Sequence, residues 1–480
     1  MNRTKIVKSF SLYTIGQFLT QALSFILLPI YVSKLSTEEY GIVAFFMAFG
    51  VFLNAIMQYG FGATIMRYYF DFKSDAEGFK SFFSSVLIFM VATNIGLILL
   101  LSMGYSSLFE LLGVEIDYDR YIAYVLGYSF LFTFPILNLT LFRVKDQPVN
   151  YLLFNLGQFA MSLAAIYYFV AILDGGALGK IKGEFWARIP LFLISIVLYA
   201  NYFTIKGLSW GHIRKALKFG IPLMFQSMLW WGLYRLDYFL IENVLGSQYL
   251  GLYNVGFQIS FVLITVGISF SLAWTPHFFS IAKNKNTPEV YGRLIGNFLM
   301  LLVLLASAIL FFGKKILIVI GGSEYLGIFE FLPWLLFGAI FQGSYYLIHQ
   351  TIQYSKRTIS IPLILGLGVL IGFFLEYWAI GYFGLIGLGI VKFVVFMAVF
   401  LMTFAIGQRF YRMKLPFHKI WISFVILLLN YAATFYFGLD LNSLLIKGGL
   451  LLANVVAIWF LLPFFSKEEK NIVIRKFKTI

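Results

Sequence analysis

The most regular feature of this sequence is a succession of long apolar stretches separated by short polar connections. Stretches of about 20 apolar residues predict membrane-spanning helices, because backbone groups in lipid must be hydrogen-bonded within their own segment. Fourteen such stretches are predicted, at 11–33, 41–66, 82–105, 121–142, 150–173, 186–205, 219–241, 250–275, 294–313, 331–353, 358–379, 382–406, 420–438 and 441–465. We therefore expect an all-α membrane protein with about 14 transmembrane helices.

The composition agrees with this expectation. Hydrophobic residues make up 61% of the 480 residues and charged residues only 12%, whereas soluble proteins average about 45–50% and about 25%. The chain has no cysteine, which excludes disulfides, thiol nucleophiles and thiolate metal sites, and its four histidines are scattered. We accordingly predict neither a metal site nor a cofactor.

Positive charge alternates from one connection to the next. Of the 36 lysines and arginines, 26 fall in one alternating set, at the N-terminus, 67–80, 143–145, 206–218, 283–293, 356–357, 409–419 and the C-terminus. Because lysine and arginine are retained in cytoplasmic loops, this set is predicted to be cytoplasmic. The chain is thus predicted to lie in a bacterial inner membrane with both termini in the cytoplasm.

Two short segments recur at nearly the same spacing. The glycine that ends Leu35–Gly41 lies 210 residues before the one that ends Leu245–Gly251, and Gly176–Gly179 lies 208 residues before Gly384–Gly387. Matching order and orientation indicate two parallel six-helix repeats, an arrangement that several transporters use to rock around a central site. The predicted divisions are a bundle at 1–206, a second bundle at 207–408, and two extra helices with a tail at 409–480.

The segment around the second copy resembles a known family. Arg235–Ile241, Leu245–Gly246 and Gly251–Tyr253 are similar to the seventh-to-eighth-helix signature of polysaccharide flippases, within the multidrug/oligosaccharidyl-lipid/polysaccharide exporter superfamily. The resemblance implies a V-shaped central cavity and transport of an undecaprenyl-diphosphate-linked oligosaccharide from the inner to the outer leaflet. It also implies that polymerases and glycosyltransferases of the same pathway are partners.

Four of the charged residues inside predicted spans are candidates for the site. A charge in the bilayer centre costs about 2.5–3.5 kcal/mol on insertion scales, so such residues usually face a wet cavity. Arg188, Arg235 and Lys392 are the candidate cations for a diphosphate, and Arg188 lies close enough to the outer boundary to reach water. Asp237, two residues from Arg235, points to a different helix face and needs another partner.

Uncharged polar residues and two prolines complete the candidate site. The amides recur at roughly helical spacing and could bind sugar hydroxyls or join helices; they are Gln17, Gln21, Asn54, Gln58, Asn254 and Gln258. Pro29 and Pro222 each remove a backbone donor from the first helix of a repeat. These two helices are candidates for a lateral gate.

Two other readings remain open. A cation-coupled drug exporter of the same superfamily would favour buried acids, whereas the candidate cations Arg188, Arg235 and Lys392 outnumber the one candidate acid, Asp237, three to one. A membrane-bound polymerase or ligase would need a large catalytic loop, and the longest outer connections have only about 15 residues. We therefore predict a transporter and no enzyme.

The predicted topology has a direct test. Reporter fusions at Lys80 and at Asp119 are expected to report opposite sides of the membrane, since the two positions lie in connections of opposite charge character. Phosphatase activity should appear only for the Asp119 fusion. Equal phosphatase activity at both positions would contradict the topology.

Overall fold

The computed structural model describes residues 26–72, 74–114, 116–284, 286–355, 357–415, 417–436 and 444–456, a part of the chain that is largely helical and contains no strand. Its helices are α1 (26–34), α2 (Thr37–Met57), α3 (Phe61–Tyr69), α4 (Ala76–Leu111), α5 (Asp119–Val144), α6 (Pro148–Ile166), α7 (Gly176–Tyr199), α8 (Trp210–Leu245), α9 (Ser247–Ile281), α10 (Thr287–Val319), α11 (Leu332–Tyr354), α12 (Ser360–Phe410), α13 (Phe417–Tyr436) and α14 (Leu444–Val456). The predicted all-α class is confirmed.

Many of these helices are suited to a membrane. Within the described ranges, seven are long and apolar enough to cross one, or eight if the bent pair Ser323–Glu330 and Leu332–Tyr354 forms a single span. Helices α7 and α8 are also long but are not among them. The predicted total of fourteen spans stays a prediction.

One helix turns sharply at a glycine. At about 1.5 Å per residue, the 51 residues of α12 would extend about 76 Å, far beyond a hydrocarbon core of about 30 Å. Gly384 interrupts α12 with φ 55° and ψ −140°. Gly176, which the sequence offset aligns with Gly384, also has a left-handed φ, of 57°, where α7 begins. The glycines that the sequence aligns therefore share a backbone feature.

The predicted span 41–66 is not one continuous helix. Helix α2 ends at Met57 and α3 begins at Phe61, with Tyr59 and Gly60 between them at φ 49° and 66°. A methyl group at Gly60 would place its carbon 2.4 Å from the carbonyl oxygen of Gly220 on α8. The break thus brings two backbones into contact, which an apolar pattern by itself does not reveal.

The chain divides by its contacts into two units. One comprises the chain through Asn254 together with Phe373–Gly384, and the other comprises Val255–Gly372 together with the chain from Leu385. These limits differ from the predicted bundle boundaries after residues 206 and 408. The units are defined by which residues pack together, whereas the predicted boundaries are defined by the offset between similar sequence segments. One does not test the other, so the repeat boundaries stay a prediction.

Each unit has its own core. In the first, α3, α4, α5 and α7 pack around aromatic side chains that are almost fully buried, among them Phe61, Phe82, Phe83, Phe134 and Tyr199. In the second, α10 packs against α11, α13 and α14. There the hydroxyl of buried Tyr291 donates to the carbonyl oxygen of Leu347 at 2.6 Å.

The conformation at Gly384 gives a stability prediction. Gly384→Ala is expected to lower the free energy of unfolding by about 1–3 kcal/mol, because side chains are strained at that backbone conformation. Gly381→Ala is the matched control: neither glycine has a neighbour within 4 Å of an added Cβ, and Gly381 has no positive φ. Thermal unfolding in detergent, followed by tryptophan fluorescence, measures both. Equal midpoints for the two variants would contradict the strain argument.

Candidate functional site

Helix α7 carries three buried charged side chains on one face. Lys180, Glu184 and Arg188 are spaced four residues apart, a spacing that aligns side chains along a helix. The Lys180 Nζ lies 2.5 Å from Glu184 Oε1, and the Arg188 Nη2 lies 3.4 Å from Glu184 Oε2. The Glu184 carboxylate is therefore shared by one ammonium group and one guanidinium group. We call these three residues the α7 triad.

Neighbouring helices complete the surroundings of the α7 triad. Arg188 Nη1 lies 3.4 Å from the amide oxygen of Gln158 on α6. The Arg188 guanidinium carbon lies 4.8 Å from the centroid of the Phe132 ring on α5, and Lys180 Nζ lies 5.5 Å from that of Tyr31 on α1. Cation–ring contacts of this kind add stabilisation when the charge is desolvated. The triad thus joins α7 to three other helices.

Sequence reasoning missed most of the α7 triad. The span was predicted to start at residue 186, so Lys180 and Glu184 were assigned to a loop, whereas α7 starts at Gly176. The expectation that Arg188 reaches water near the outer boundary is not what the structure shows, since Arg188 is buried and paired. A signal was present in the spacing of four residues between opposite charges. A role for Arg188 in substrate binding stays a prediction.

A second polar group joins α8 to the first turns of α9. The Arg235 guanidinium donates a hydrogen bond to the Tyr238 hydroxyl, and its carbon lies 4.7 Å from the centroid of that ring. The Tyr238 hydroxyl donates to Asn254 Oδ1 at 2.9 Å, and Arg235 Nη1 lies 3.5 Å from the same oxygen. We call Arg235, Tyr238 and Asn254 the α8–α9 cluster.

The α8–α9 cluster unites two residues that the sequence proposed independently. Arg235 and Asn254 are 19 residues apart in the chain and meet because α9 turns back along α8 at Gly246, where φ is 88°. Tyr238, which links them, was not predicted. Asn254 and Tyr238 are buried, whereas Arg235 is only partly buried. The Arg235 side chain is therefore only partly covered by its neighbours in the first unit.

Asp237 has a separate partner, as its position on the helix predicts. Its side chain is fully buried and accepts a hydrogen bond from the Tyr253 hydroxyl at 2.5 Å. Buried Glu376, from Phe373–Gly384, acts electrostatically on the same hydroxyl. Buried Glu242 accepts from the hydroxyl of Ser247 at 2.8 Å.

Lys392 lies on α12 in the other unit and is 2% exposed. Its Nζ lies 5.8 Å from the centroid of the Phe396 ring. The offset of 208 residues that relates Gly176 to Gly384 relates Glu184, and not Arg188, to Lys392. By this offset the aligned positions carry opposite charges.

The predicted amides do not form one group. Asn54 is buried, and its Nδ2 donates to the carbonyl oxygen of Gly50 in its own helix at 3.0 Å. Gln58 is partly buried beside the α2–α3 break, and Gln258 is partly buried one turn after Asn254 on α9. Gln17 and Gln21 lie outside the described residues.

The two candidate gate prolines do not interrupt their helices. The helical residues 26–34 include Pro29, and α8 continues through Pro222 from Trp210 to Leu245. Pro222 lies two residues after Gly220, the glycine that contacts the α2–α3 break. A gating role for either proline stays a prediction.

The balance of buried charge differs from the expected excess of cations. In the described part of the chain four basic and four acidic side chains are buried: Lys180, Arg188, Lys392 and Lys447, with Glu184, Asp237, Glu242 and Glu376. Sequence reasoning assigned Glu184 and Glu242 to connections and overlooked Glu376 inside the predicted span 358–379. The three-to-one ratio is therefore wrong.

Comparison with known proteins identifies the family. A family model described as polysaccharide biosynthesis protein matches residues 6–282, more than half of the chain. The chain belongs to this polysaccharide biosynthesis family. A second model, MatE, matches residues 222–378. A Haemophilus influenzae relative described as Lsg locus putative protein 1 is 22% identical over 336 residues, which cover 67% of this chain and 78% of that protein.

Solved structures share the fold of this member of the polysaccharide biosynthesis family. The lipid II flippase MurJ, in an inward closed conformation, has a TM-score of 0.71 at 13% identity, covering 93% of this chain and 98% of MurJ. A MATE transporter of Vibrio cholerae has a TM-score of 0.56 at 13% identity, covering 85% and 96%. The resemblance to the flippase superfamily is confirmed, and the chain is a multi-pass membrane protein.

The α7 triad of this family member gives a second stability prediction. Glu184→Gln leaves two buried cations without a carboxylate, and breaking a buried ion pair in this way costs about 3–5 kcal/mol. Glu77→Gln is the matched control, because Glu77 pairs with Lys80 at 2.8 Å on an exposed surface, where a pair contributes below about 1 kcal/mol. Thermal unfolding in detergent should show a large loss only for Glu184→Gln. Similar losses in both variants would contradict this assignment.

Proposed function

We propose that this protein is a flippase that moves an undecaprenyl-diphosphate-linked oligosaccharide from the inner to the outer leaflet by alternating access, for surface polysaccharide biosynthesis. The observation that carries the proposal is the polysaccharide biosynthesis match over 6–282, a range that contains the Arg235-bearing α8–α9 cluster. The MurJ-like fold supports it, since MurJ is described as a lipid II flippase.

The chemistry of the α8–α9 cluster suits such a head group. A guanidinium presents a planar set of donors that matches phosphate oxygens, and it stays charged at every physiological pH. The amide of Asn254 and the hydroxyl of Tyr238 can exchange hydrogen bonds with sugar hydroxyls. Arg235 is therefore proposed as the main diphosphate contact. Lys392 and Arg188 stay candidate cations, proposed on their charge and burial alone.

The orientation follows from charge. The basic connections are proposed to lie in the cytoplasm, with both termini inside and the protein in the bacterial inner membrane. The α1–α2 and α8–α9 connections then lie on the outer side. The helices containing Pro29 and Pro222 are proposed to part sideways, so that the lipid tail stays in the bilayer while the head group crosses.

The protein is proposed to act without chemistry of its own. Transporters and flippases are its solved relatives, and reorienting a lipid breaks no covalent bond in the substrate. The glycosyltransferases that build the glycan must supply the substrate on the inner side, and a polymerase is proposed to consume it on the outer side.

A second candidate is a cation-coupled drug exporter. It is favoured by the MatE match over 222–378 and by the buried carboxylates Asp237, Glu242 and Glu376, of which Asp237 and Glu242 lie within α8. Buried acids suit cationic drugs and coupling ions. The family match over the larger part of the chain favours the flippase.

Deletion in the native host separates the two candidates. A flippase mutant should lose surface glycan while lipid-linked glycan accumulates in the inner leaflet, and the wild-type gene should restore export. Arg235→Ala should restore it about tenfold less well or worse, because charge-assisted hydrogen bonds contribute about 1.5–3 kcal/mol. Arg214→Ala, an exposed position on the same helix, should restore it fully.

The readouts are surface glycan by antibody or lectin and protein level by immunoblot. Unchanged surface glycan with greater sensitivity to cationic drugs would replace the flippase by the exporter. Full restoration by Arg235→Ala at normal protein level would remove Arg235 from the site.

A further inference from the structure

The connection between the two predicted repeats lies against the first turns of α4. Three buried serines of α4, Ser81, Ser84 and Ser85, are spaced so that they share one face of the helix. Their hydroxyls bind the backbone of the connection 203–209 and of Tyr202 just before it. We call these three residues the serine latch.

Ser84 fixes the beginning of the connection. Its hydroxyl accepts a hydrogen bond from the backbone amide of Thr204 at 2.8 Å and donates to the carbonyl oxygen of Tyr202 at 3.4 Å. A serine hydroxyl has one donor and two acceptor positions, so it can satisfy both backbone groups at once. The Tyr202 ring makes a further contact, since the ammonium nitrogen of Lys145 lies 4.4 Å from its centroid. The chain therefore follows a defined path as it leaves α7.

Ser85 and Ser81 fix the end of the connection. The Ser85 hydroxyl accepts from the backbone amide of Ser209 at 3.1 Å, and the Ser81 hydroxyl donates to the carbonyl oxygen of Gly207. Gly207 has a φ of 76°, and a methyl group there would place its carbon 2.9 Å from the Ser81 oxygen. Ser209 is also the N-cap of α8, because its hydroxyl accepts from the amide of Gly211 at 3.1 Å. The capping residue of α8 is thus bound directly to α4.

The connection is held through its backbone rather than through its side chains. Large apolar side chains in and beside it remain exposed; they are Phe203, Ile205, Leu208 and Trp210. Side chains that stay exposed contribute little stabilisation by apolar burial. Hydrogen bonds to the buried serines are therefore the main attachment of 203–209 to α4, and removing them should free the connection.

Contacts further along α8 agree with this attachment. Although α8 is the first helix of the second predicted repeat, it groups by its contacts with the first unit. Trp231 Nε1 donates to the carbonyl oxygen of Ala48 on α2 at 2.8 Å, and Asn243 Nδ2 donates to that of Leu112 at the end of α4 at 2.9 Å. Helix α8 is thus bound to the first unit at its start, in its middle and at its end.

We propose that the serine latch keeps the connection 203–209 attached to α4 throughout the transport cycle, so that α8 moves with the first unit and the chain flexes after α8. The proposal rests on the proposed flippase function, because alternating access requires two parts that move against each other. A free connection of this length could extend about 23–25 Å, at about 3.3–3.6 Å per residue. The latched connection instead holds Ser209 within hydrogen-bond distance of α4. The latch thus limits how far the start of α8 can move from α4.

Hydrogen exchange tests the attachment, with the purified full-length protein in detergent. Ser84→Ala should raise the exchange rate of the Thr204 amide about tenfold or more, and Ser85→Ala should do the same for the Ser209 amide, because each amide loses its acceptor. Ser102→Ala is the matched control, since this exposed serine of α4 donates only within its own helix, at 2.9 Å. Residue-level mass spectrometry measures each amide. Unchanged exchange at both amides would overturn the attachment.

Cross-linking tests whether the attachment persists during transport. The chain has no cysteine, so Ser81→Cys and Leu208→Cys introduce the only thiols. A short, membrane-permeant bismaleimide, applied to complemented deletion cells, should join them, because Leu208 follows the carbonyl group that Ser81 contacts. New surface glycan should continue to appear at the rate of the single-cysteine variants treated in the same way.

Breaking the latch should have the opposite effect to fixing it. A variant with alanine at Ser81, Ser84 and Ser85 should export severalfold less glycan at normal protein level, because the start of α8 is no longer held to α4. Ser102→Ala should export as the wild type does.

The outcomes separate the latch from the function. Failure of the wild-type gene to restore glycan to the deletion strain would count against the flippase itself. If the wild type restores glycan, loss of export on cross-linking would overturn the proposal, because the connection would then have to leave α4 in each cycle. Full export by the triple alanine variant would also overturn it. So would absence of the cross-link on gels, judged after cleavage at a protease site placed in the 173–175 connection.

Discussion

A charged side chain buried in a protein has no bulk water to solvate it, and much of the first unit follows from that constraint. The Glu184 carboxylate makes it possible for Lys180 and Arg188 to be buried on the same face of α7. The aromatic rings of α1 and α5 and the Gln158 amide then pack around the two cations. A helix that the apolar pattern places at the margin of the membrane is thereby held inside the first unit.

The same constraint acts differently on α8. Arg235 is only partly buried and shares its hydrogen bonds with a hydroxyl and an amide, which carry no charge. Arg188, by contrast, is buried and lies 3.4 Å from the Glu184 carboxylate. Two arginines that look alike in sequence therefore have different surroundings, which the apolar pattern alone does not distinguish.

The apolar pattern predicted the helical class because that class depends on local composition. It did not predict the α7 triad. Lys180 and Glu184 make residues 176–185 more polar than a typical span, so this segment was assigned to a loop. The break at Tyr59–Gly60 was also missed, and the backbone that it contacts, at Gly220, is 160 residues away in the chain. Contacts between distant backbones leave no periodic signal in a single sequence.

The contact between α2 and α9 also shows how two similar segments of one chain can meet. Thr37 and Gly41 lie 210 residues before Ser247 and Gly251. A methyl group at Gly41 would lie 1.7 Å from the carbonyl oxygen of Ser247, and one at Gly251 would lie 1.8 Å from that of Thr37. Reciprocal contact of this kind is what two identical subunits form at the axis of a symmetric homodimer. A single polypeptide here makes a contact that otherwise requires two copies of a chain.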